Sequence, residues 1–438
     1  MSPRQVKVKF SHSRPGRLSL GGSVDWSQTG AVPLMTNTPN RAGVPTVRLI
    51  LILGTLSAFG PLTTDLYLPA LPTIAQEFVS PHVQQSMAIY FFGLALGQLF
   101  YGPLSDRVGR RRPLLFGCGL YTLASLGCAL APNMESLIAL RLLQALGASV
   151  GMVTTLSVVR DLFDVRDSAR VLSYLMLVMG VAPVLAPLLG GQILLYGDWR
   201  MVFGILVVYG LVCIGLVAFA LPESLPPSRR TKTPLSAVLP DYLRLLADLR
   251  FQRFALPQSL MGAGFFAYLS GASLVFIGVY GVSAQNFGFV FGLNAFGLIA
   301  AAQLNTWLLG RYTGTQILTR SMAVMAVASV LLVGAASTGL GGMWVVWGLL
   351  FVCVAGSGLV RPNALAAVLA PYPERAGLAS SLLGALGTGV GALAGAVLGL
   401  FPLNSALPLA IVIAAAYVMA VVIFWGIRWV YPAGSELE

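Results

Sequence analysis

The stretch Gly97-Gln98-Leu99-Phe100-Tyr101-Gly102-Pro103-Leu104-Ser105-Asp106-Arg107-Val108-Gly109-Arg110-Arg111-Arg112-Pro113 is an abrupt break between two apolar runs, about 84–103 and about 113–131, that carry no charge at all. Each run is long enough to cross a hydrocarbon core about 30 Å thick, which takes a helix of about 20 apolar residues. The break therefore reads as a tight return between two membrane spans. Gly109 permits the turn, and Arg107, Arg110, Arg111 and Arg112 hold it at a membrane surface. Gly93, Gly97 and Gly102 leave room for helices to approach closely. Asp106 is placed to accept hydrogen bonds from a helix N-terminus or to pair with an arginine on a moving neighbour.

The same pattern repeats along the chain. Of 438 residues, 57% are hydrophobic and 10% charged, and the mean hydropathy is +0.82. A soluble domain carries about a quarter charged residues, so that class is excluded. About twelve runs reach spanning length, near 48–70, 84–103, 113–131, 136–159, 170–196, 200–221, 253–279, 287–309, 318–337, 343–363, 377–400 and 405–430. They are too long and too uniformly apolar for barrel strands. The expected fold is an all-α membrane protein of twelve transmembrane helices in two six-helix, pseudo-symmetric halves. The formal net charge of +12 lies in short hydrophilic gaps, not on one basic face, so the lipid bilayer is the expected partner and nucleic acid is not. Cys118, Cys128, Cys213 and Cys353 sit singly inside apolar runs, and His12 and His82 stand apart, so neither a disulfide framework nor a metal site is expected.

Lys and Arg concentrate in the even-to-odd connections: Arg107 to Arg112, Arg166 and Arg170, Arg229, Arg230, Lys232, Arg244 and Arg250, then Arg311 and Arg375. The odd-to-even connections hold only Glu77, Glu135, Asp198 and Arg200. Basic short loops stay in the cytoplasm, which puts both termini there. Residues 1–45 read as a basic cytoplasmic tail, without the apolar core of a signal peptide. Residues 46–221 form the first six-helix half, 222–252 a central cytoplasmic loop with the amphipathic segment Tyr242-Leu243-Arg244-Leu245-Leu246, 253–431 the second half, and 432–438 a short cytoplasmic tail. Phe92-Gly93-Leu94 followed by Gly109-Arg110 is echoed by Phe291-Gly292-Leu293 followed by Gly310-Arg311, a faint internal repeat. Parallel six-helix halves with a site between them are one transporter architecture.

Asp65, in Pro61-Leu62-Thr63-Thr64-Asp65-Leu66-Tyr67-Leu68-Pro69, is the one acidic residue well inside an expected span. At that depth a carboxylate costs at least about 2.5–3.5 kcal/mol unless paired, protonated or facing water, which marks it as functional. Arg141 lies a few residues past the start of the fourth span, on an antiparallel helix at similar expected depth, and Gln144 shares its face at i+3. The expectation is that Arg141 neutralises deprotonated Asp65 and lets go when a proton arrives, with Gln144 extending the polar network and both Thr64 and Gln144 expected to bind substrate.

The opening stretch resembles the cytoplasmic loop motif of the major facilitator superfamily. Leu140-Arg141-Leu142-Leu143-Gln144-Ala145-Leu146-Gly147 resembles that superfamily's fourth-span motif, in which the arginine is linked to proton coupling. Gly180-Val181-Ala182-Pro183-Val184-Leu185-Ala186-Pro187-Leu188-Leu189-Gly190-Gly191 resembles its fifth-span antiporter motif, with Ala186 where glycine usually precedes proline. Within the superfamily, Asp65-Leu66-Tyr67-Leu68-Pro69-Ala70-Leu71-Pro72 resembles the first span of the Bcr/CflA family of bicyclomycin and chloramphenicol resistance exporters. The segments around Pro362-Asn363-Ala364 and Ser380-Ser381 look like that family's second half.

The resemblance implies a proton-coupled antiporter in a bacterial inner membrane. It would export small amphipathic drugs or metabolites by alternating access, as a monomer, with the proton gradient in place of a cofactor. Asp65 and Arg141 would carry coupling, and Gly102, Asp106, Arg107, Gly109, Arg110, Pro187, Gly190 and Gly191 the conformational switch. Some multidrug relatives hold a second acidic residue two turns before this aspartate. Ser57 stands there in this chain, which argues against divalent cations. Met87 and Tyr90, and in the second half Phe265, Phe266, Phe291 and Asn294, form the aromatic and amide faces that an apolar ligand requires, and are expected to bind substrate. A proton-coupled nutrient importer on the same fold is the rival reading. An enzyme is not expected, because the spans lack clustered nucleophiles, metal ligands or paired carboxylates.

Overall fold

The computed structural model describes residues 46–80, 82–231, 238–402 and 404–430. The expected tails over 1–45 and 432–438, with His12, and Lys232 in the central stretch lie outside these residues. The described elements are all helical. The first span is a broken rod of α1 (Thr46–Ser57), α2 (Phe59–Asp65), a 3-10 turn at Leu68–Ala70, and α3 (Leu71–Glu77). Then come α4 (Gln84–Val108), α5 (Arg111–Ala129), α6 (Met134–Leu162), α7 (Val165–Tyr196) and α8 (Trp199–Phe219). The short α9 (Val238–Ala247) precedes α10 (Leu249–Ser273, continued as a π-helical turn over Leu274–Val279), α11 (Ala284–Leu308), α12 (Gly314–Thr338), α13 (Gly342–Leu369), α14 (Ala376–Leu398) and α15 (Leu407–Val430).

Ten of these helices are long and apolar enough to cross a membrane, and the bent pair Thr46–Ser57 with Phe59–Glu77 makes an eleventh. The twelfth is α5, 19 residues long, less apolar because small and hydroxylated residues line the side it packs against α6 and α8. An ideal Cβ on Gly147 of α6 would lie 2.5 Å from the Tyr121 backbone nitrogen, so the two backbones meet where only glycine fits. The outward side of α5 carries exposed Phe116 and Leu123, as lipid-bathed surface does.

Proline chemistry breaks the first span. Pro61, Pro69 and Pro72 have no N–H to give to the carbonyls of Ser57, Asp65 and Leu68, four residues back. The rod bends by 42° at the first of these breaks and tightens to the 3-10 turn at the second. The sequence reading ended this span near residue 70, but the helix resumes and runs to Glu77. Elsewhere starts are set by capping: the side chains of Asn133, Asp164, Asp198, Asp248 and Ser283 each accept a hydrogen bond from a first-turn backbone N–H of α6, α7, α8, α10 and α11. Gly109, with φ +97°, ends α4.

Two six-helix bundles result, joined along two seams, α4 against α14 and α7 against α11. At the end away from the arginine-rich return, the Leu68–Ala70 turn also touches α10 and α11, and α3 touches the π-helical turn of the seventh span. At the basic end, the amphipathic α9 lays Tyr242 and Leu245 onto a small apolar cluster with Phe251, Val368, Leu382 and Leu383.

Candidate functional site

Asp65 closes α2 at the Pro69 break and is almost completely buried, 3% exposed. Its Oδ1 accepts a hydrogen bond from the Thr64 hydroxyl at 2.8 Å, and Thr64 also donates to the Gly60 carbonyl. Tyr90 and Tyr268 lie within electrostatic reach of the carboxyl. Because the span runs on to Glu77, Asp65 sits deeper than the sequence suggests, and no ion pair joins it to Arg141 among the described residues.

Arg141 is the largest polar side chain in the core, 0% exposed. Its guanidinium lies 4.1 Å from the ring centre of Tyr90 and 4.5 Å from that of Tyr67. Nη1 donates to Gln144 Oε1 at 2.7 Å, and Nη2 approaches Met87 Sδ at 3.6 Å. Gln144 in turn donates to Ser125 Oγ at 2.8 Å, and Tyr67 Oη shares a 2.8 Å hydrogen bond with Ser86 Oγ. The cation is thus held by two π faces, worth about 2 kcal/mol or more each when desolvated, with an amide in place of a carboxylate. Tyr90 lies within electrostatic reach of both Asp65 and Arg141. The structure therefore gathers Met87, Tyr90 and Gln144 around Arg141 and Thr64 around Asp65.

Phe291 stacks on Tyr268 at 5.5 Å with planes 12° apart, and Asn294 Nδ2 donates to Tyr268 Oη at 2.8 Å. Phe266 meets Phe91 of α4 at 4.5 Å, bridging the bundles, and Phe265 sits beside Phe266. Met87, Tyr90, Gln144, Phe266, Phe291 and Asn294 are all buried, while Phe265 is partly open. The sequence reading missed Tyr67, Tyr268 and Arg361. Tyr67 stands two residues from Asp65 in the quoted motif, and Tyr268 lies three residues on from Phe265, close to its face. Arg361 was overlooked because the span was ended near residue 363, which left it at the helix end, whereas α13 continues to Leu369.

The arginine-rich return is a second polar centre. Arg110 pairs with Asp106 and, through Nε, with Asp161 Oδ2 at 2.9 Å. Its backbone N–H donates to Glu223 Oε1 at 2.9 Å, and Arg111 Nε donates to the Val217 carbonyl at 3.1 Å. Two hydrogen bonds to carboxylates and burial oppose each other at Arg110: burial favours losing its charge, Asp161 and Asp106 favour keeping it, and its pKa ends above the ordinary value. A Cβ on Gly109 would lie 2.5 Å from Glu223 Oε2. Gly102 faces Ser381 Oγ of α14 at 3.8 Å from its ideal Cβ. Arg107 points outward, exposed. At the other end, an ideal Cβ on Gly190 would lie 2.4 Å from the Leu66 carbonyl oxygen, and one on Gly191 2.5 Å from that of Ala284. Pro187 and Ala186, one turn earlier, are buried in the same seam.

Twelve helices in two bundles, a buried carboxyl and guanidinium between helices, and glycine-tight seams define a membrane carrier. Residues 51–396 match the family model of the Major Facilitator Superfamily, and the chain belongs to that superfamily, a transporter and not an enzyme. It is 34% identical over 399 residues to an uncharacterized MFS-type transporter, YdgK, of Bacillus subtilis (strain 168), covering 89% of this chain and 97% of that one. It is 30% identical over 378 residues to a bicyclomycin resistance protein homolog of Haemophilus influenzae, covering 86% and 95%. Among solved structures it resembles the crystal structure of a D-xylose-proton symporter, with a TM-score of 0.67 at 17% identity, covering 86% and 96%. At that identity the structural likeness speaks for the fold.

Proposed function

We propose that this protein is a proton-coupled antiporter that exports small amphipathic antibiotics or metabolites by alternating access. Asp65 carries the proton and Arg141 answers its charge. The basic end faces the cytoplasm of a bacterium, both termini lie there, and the chain works as a monomer in the inner membrane. The segments 46–221 and 253–431 move against each other as two bodies, with 222–252 as the tether. The proton gradient supplies the energy.

One observation carries the coupling: Asp65 is buried at a proline break with a single hydroxyl donor, while Arg141 is held by aromatic rings and one amide, with its Nε left without a hydrogen-bond partner. Such a carboxyl is comfortable protonated. Once ionised it would be drawn to Arg141, which can leave its π cage at a cost of a few kcal/mol. Loss of the proton and movement of Arg141 are thereby linked. Met87, Tyr90, Gln144 and Thr64 are positioned to report that movement to the substrate, with Phe265, Phe266, Phe291 and Asn294 supplying the apolar wall. Similarity to the bicyclomycin resistance homolog supports drug efflux.

The test uses everted vesicles. Acidifying the lumen should drive accumulation of chloramphenicol, and Asp65→Asn should abolish the response to pH while leaving binding of the drug to purified protein intact. Accumulation by Asp65→Asn at the wild-type rate would overturn the coupling role. Uptake of a metabolite into intact cells, with no efflux of any drug, would instead favour the importer.

A further inference from the structure

Arg361 shares with Arg141 the lack of a carboxylate partner among the described residues but is far less enclosed. Its guanidinium lies over one ring only, 5.3 Å from the centre of Phe265, and no carboxylate pairs with it among the described residues. Its side chain is exposed to solvent-sized space, yet protein surrounds it at that depth, with Tyr417 of α15 within electrostatic reach. The space must therefore lie inside the bundle. The seventh span agrees, since α10 is the most thoroughly packed of the candidate spans, and Phe265 on it is nonetheless partly open. Phe265 leads through Phe266 at 5.8 Å to Phe91 at 4.5 Å, an aromatic wall running from α10 across to α4. On the same face of α10, two turns toward the basic end, the Gln258 side-chain oxygen is buried without a partner.

A cation inside a membrane normally finds an anion, a carbonyl or water. Here one π face is the contact the fixed elements give it, and among the described residues no hydrogen bond or ion pair takes up its planar fork of donors. That fork matches a carboxylate bidentately.

We propose that Arg361 is the anchor for the anionic head of an amphipathic substrate, a carboxylate on an aromatic or otherwise apolar body that lies against Phe265 and Phe266. This deepens the exporter reading and rests on it for the direction of movement. The anion is a cargo group, held opposite the bundle that contains Asp65, so that proton site and cargo charge occupy different halves of the molecule.

Binding reads this without reference to direction. Purified protein in dodecylmaltoside is titrated with nalidixate, fusidate and naproxen, each beside its methyl ester, for the wild type, Arg361→Gln, Arg361→Lys and Phe265→Leu. At least one acid should bind the wild type about tenfold or more tighter than its ester. Arg361→Gln should erase that preference while still binding the ester, Arg361→Lys should keep part of it, and Phe265→Leu should weaken acid and ester together. No acid preferred over its ester by the wild type, or a preference surviving in Arg361→Gln, overturns the proposal. Equal loss of acid and ester in Arg361→Gln, with Arg361→Lys equally impaired, also overturns it in favour of a structural role. Chloramphenicol accumulation by everted vesicles is measured in parallel. Its absence, with the acid preference intact, would sink the exporter reading and leave the anion site standing.

Discussion

Arg141 and Arg361, both inside spans, stand in unlike surroundings. Arg141 is enclosed, with Nη1 on Gln144, Nη2 near Met87 Sδ and the rings of Tyr67 and Tyr90 over its plane, while its Nε is buried without a hydrogen-bond partner, so removing any one member leaves a buried charge shorter still of partners. Tyr90→Phe keeps the π face and should retain most stability, whereas Tyr90→Leu should cost about 2 kcal/mol. A lower thermal midpoint of the purified Leu variant, with the Phe variant near wild type, is the expected readout, and equal midpoints would show that the ring contributes nothing. Gln144→Leu belongs at this scale too. It removes the only amide on Arg141 and leaves Ser125 without its donor, so a loss of about 1–3 kcal/mol is expected, measurable in the same melts. Asp65 was legible in the sequence because a carboxylate in an apolar run is conspicuous. Its expected ion pair with Arg141 is absent among the described residues, because depth was inferred from where Pro69 and Pro72 seemed to end the helix, and the span runs on to Glu77. Tyr67 escaped for another reason, and so did the cation-holding part of Tyr90, which the sequence marked only for substrate: an aromatic in a membrane span is ordinary until a cation is found against it.

Helix existence was easy to read and helix ends were not, and proline explains both misses. In water, Pro72 and Pro362 would be good terminators. Inside a bilayer the chain has no water to take its freed carbonyls, so continuing the helix on the far side of the proline is the cheaper course. That carried the first span to Glu77 and α13 to Leu369, moving Asp65 and Arg361 inward from the interface. The glycines sort by the same structural logic. Gly147 is closed in by the backbone of α5, with Tyr121 N at 2.5 Å and the Gly117 carbonyl oxygen at 2.6 Å from its ideal Cβ. Gly119, two residues from Gly117, has nothing within 4 Å. Gly147→Ala should therefore cost about 1–3 kcal/mol by overpacking, while Gly119→Ala should be neutral or slightly stabilising. Thermal melts of the two proteins side by side check this, and similar effects from both would mean that the α5–α6 approach is looser than the structure has it.

At the scale of the whole molecule, the two ends are held shut or open by unlike means. The basic end is tied within the first bundle by charges, Arg110 bridging Asp106 and Asp161 while its N–H reaches Glu223. The other end is closed between bundles by backbone proximity, Gly191 of α7 against Ala284 of α11, backed by Gly190 against Leu66. Charges can be exchanged with water as a loop moves, but a glycine contact is either made or lost, which suits a two-state closure. Gly191→Ala places a methyl where the Ala284 oxygen and the Gln285 Cα already stand, at 2.5 and 3.0 Å. The closed seam must give, and each 1.4 kcal/mol of strain shifts the population about tenfold toward the form parted at that end. A cysteine at Ala70, fully buried in the turn that touches α10 and α11, would report it, since the four native cysteines are buried and silent. Labelling of Ala70→Cys by a membrane-impermeant maleimide should rise several-fold when Gly191→Ala is added and stay unchanged with Gly119→Ala. Labelling that ignores Gly191→Ala would mean that this seam does not govern access from that side.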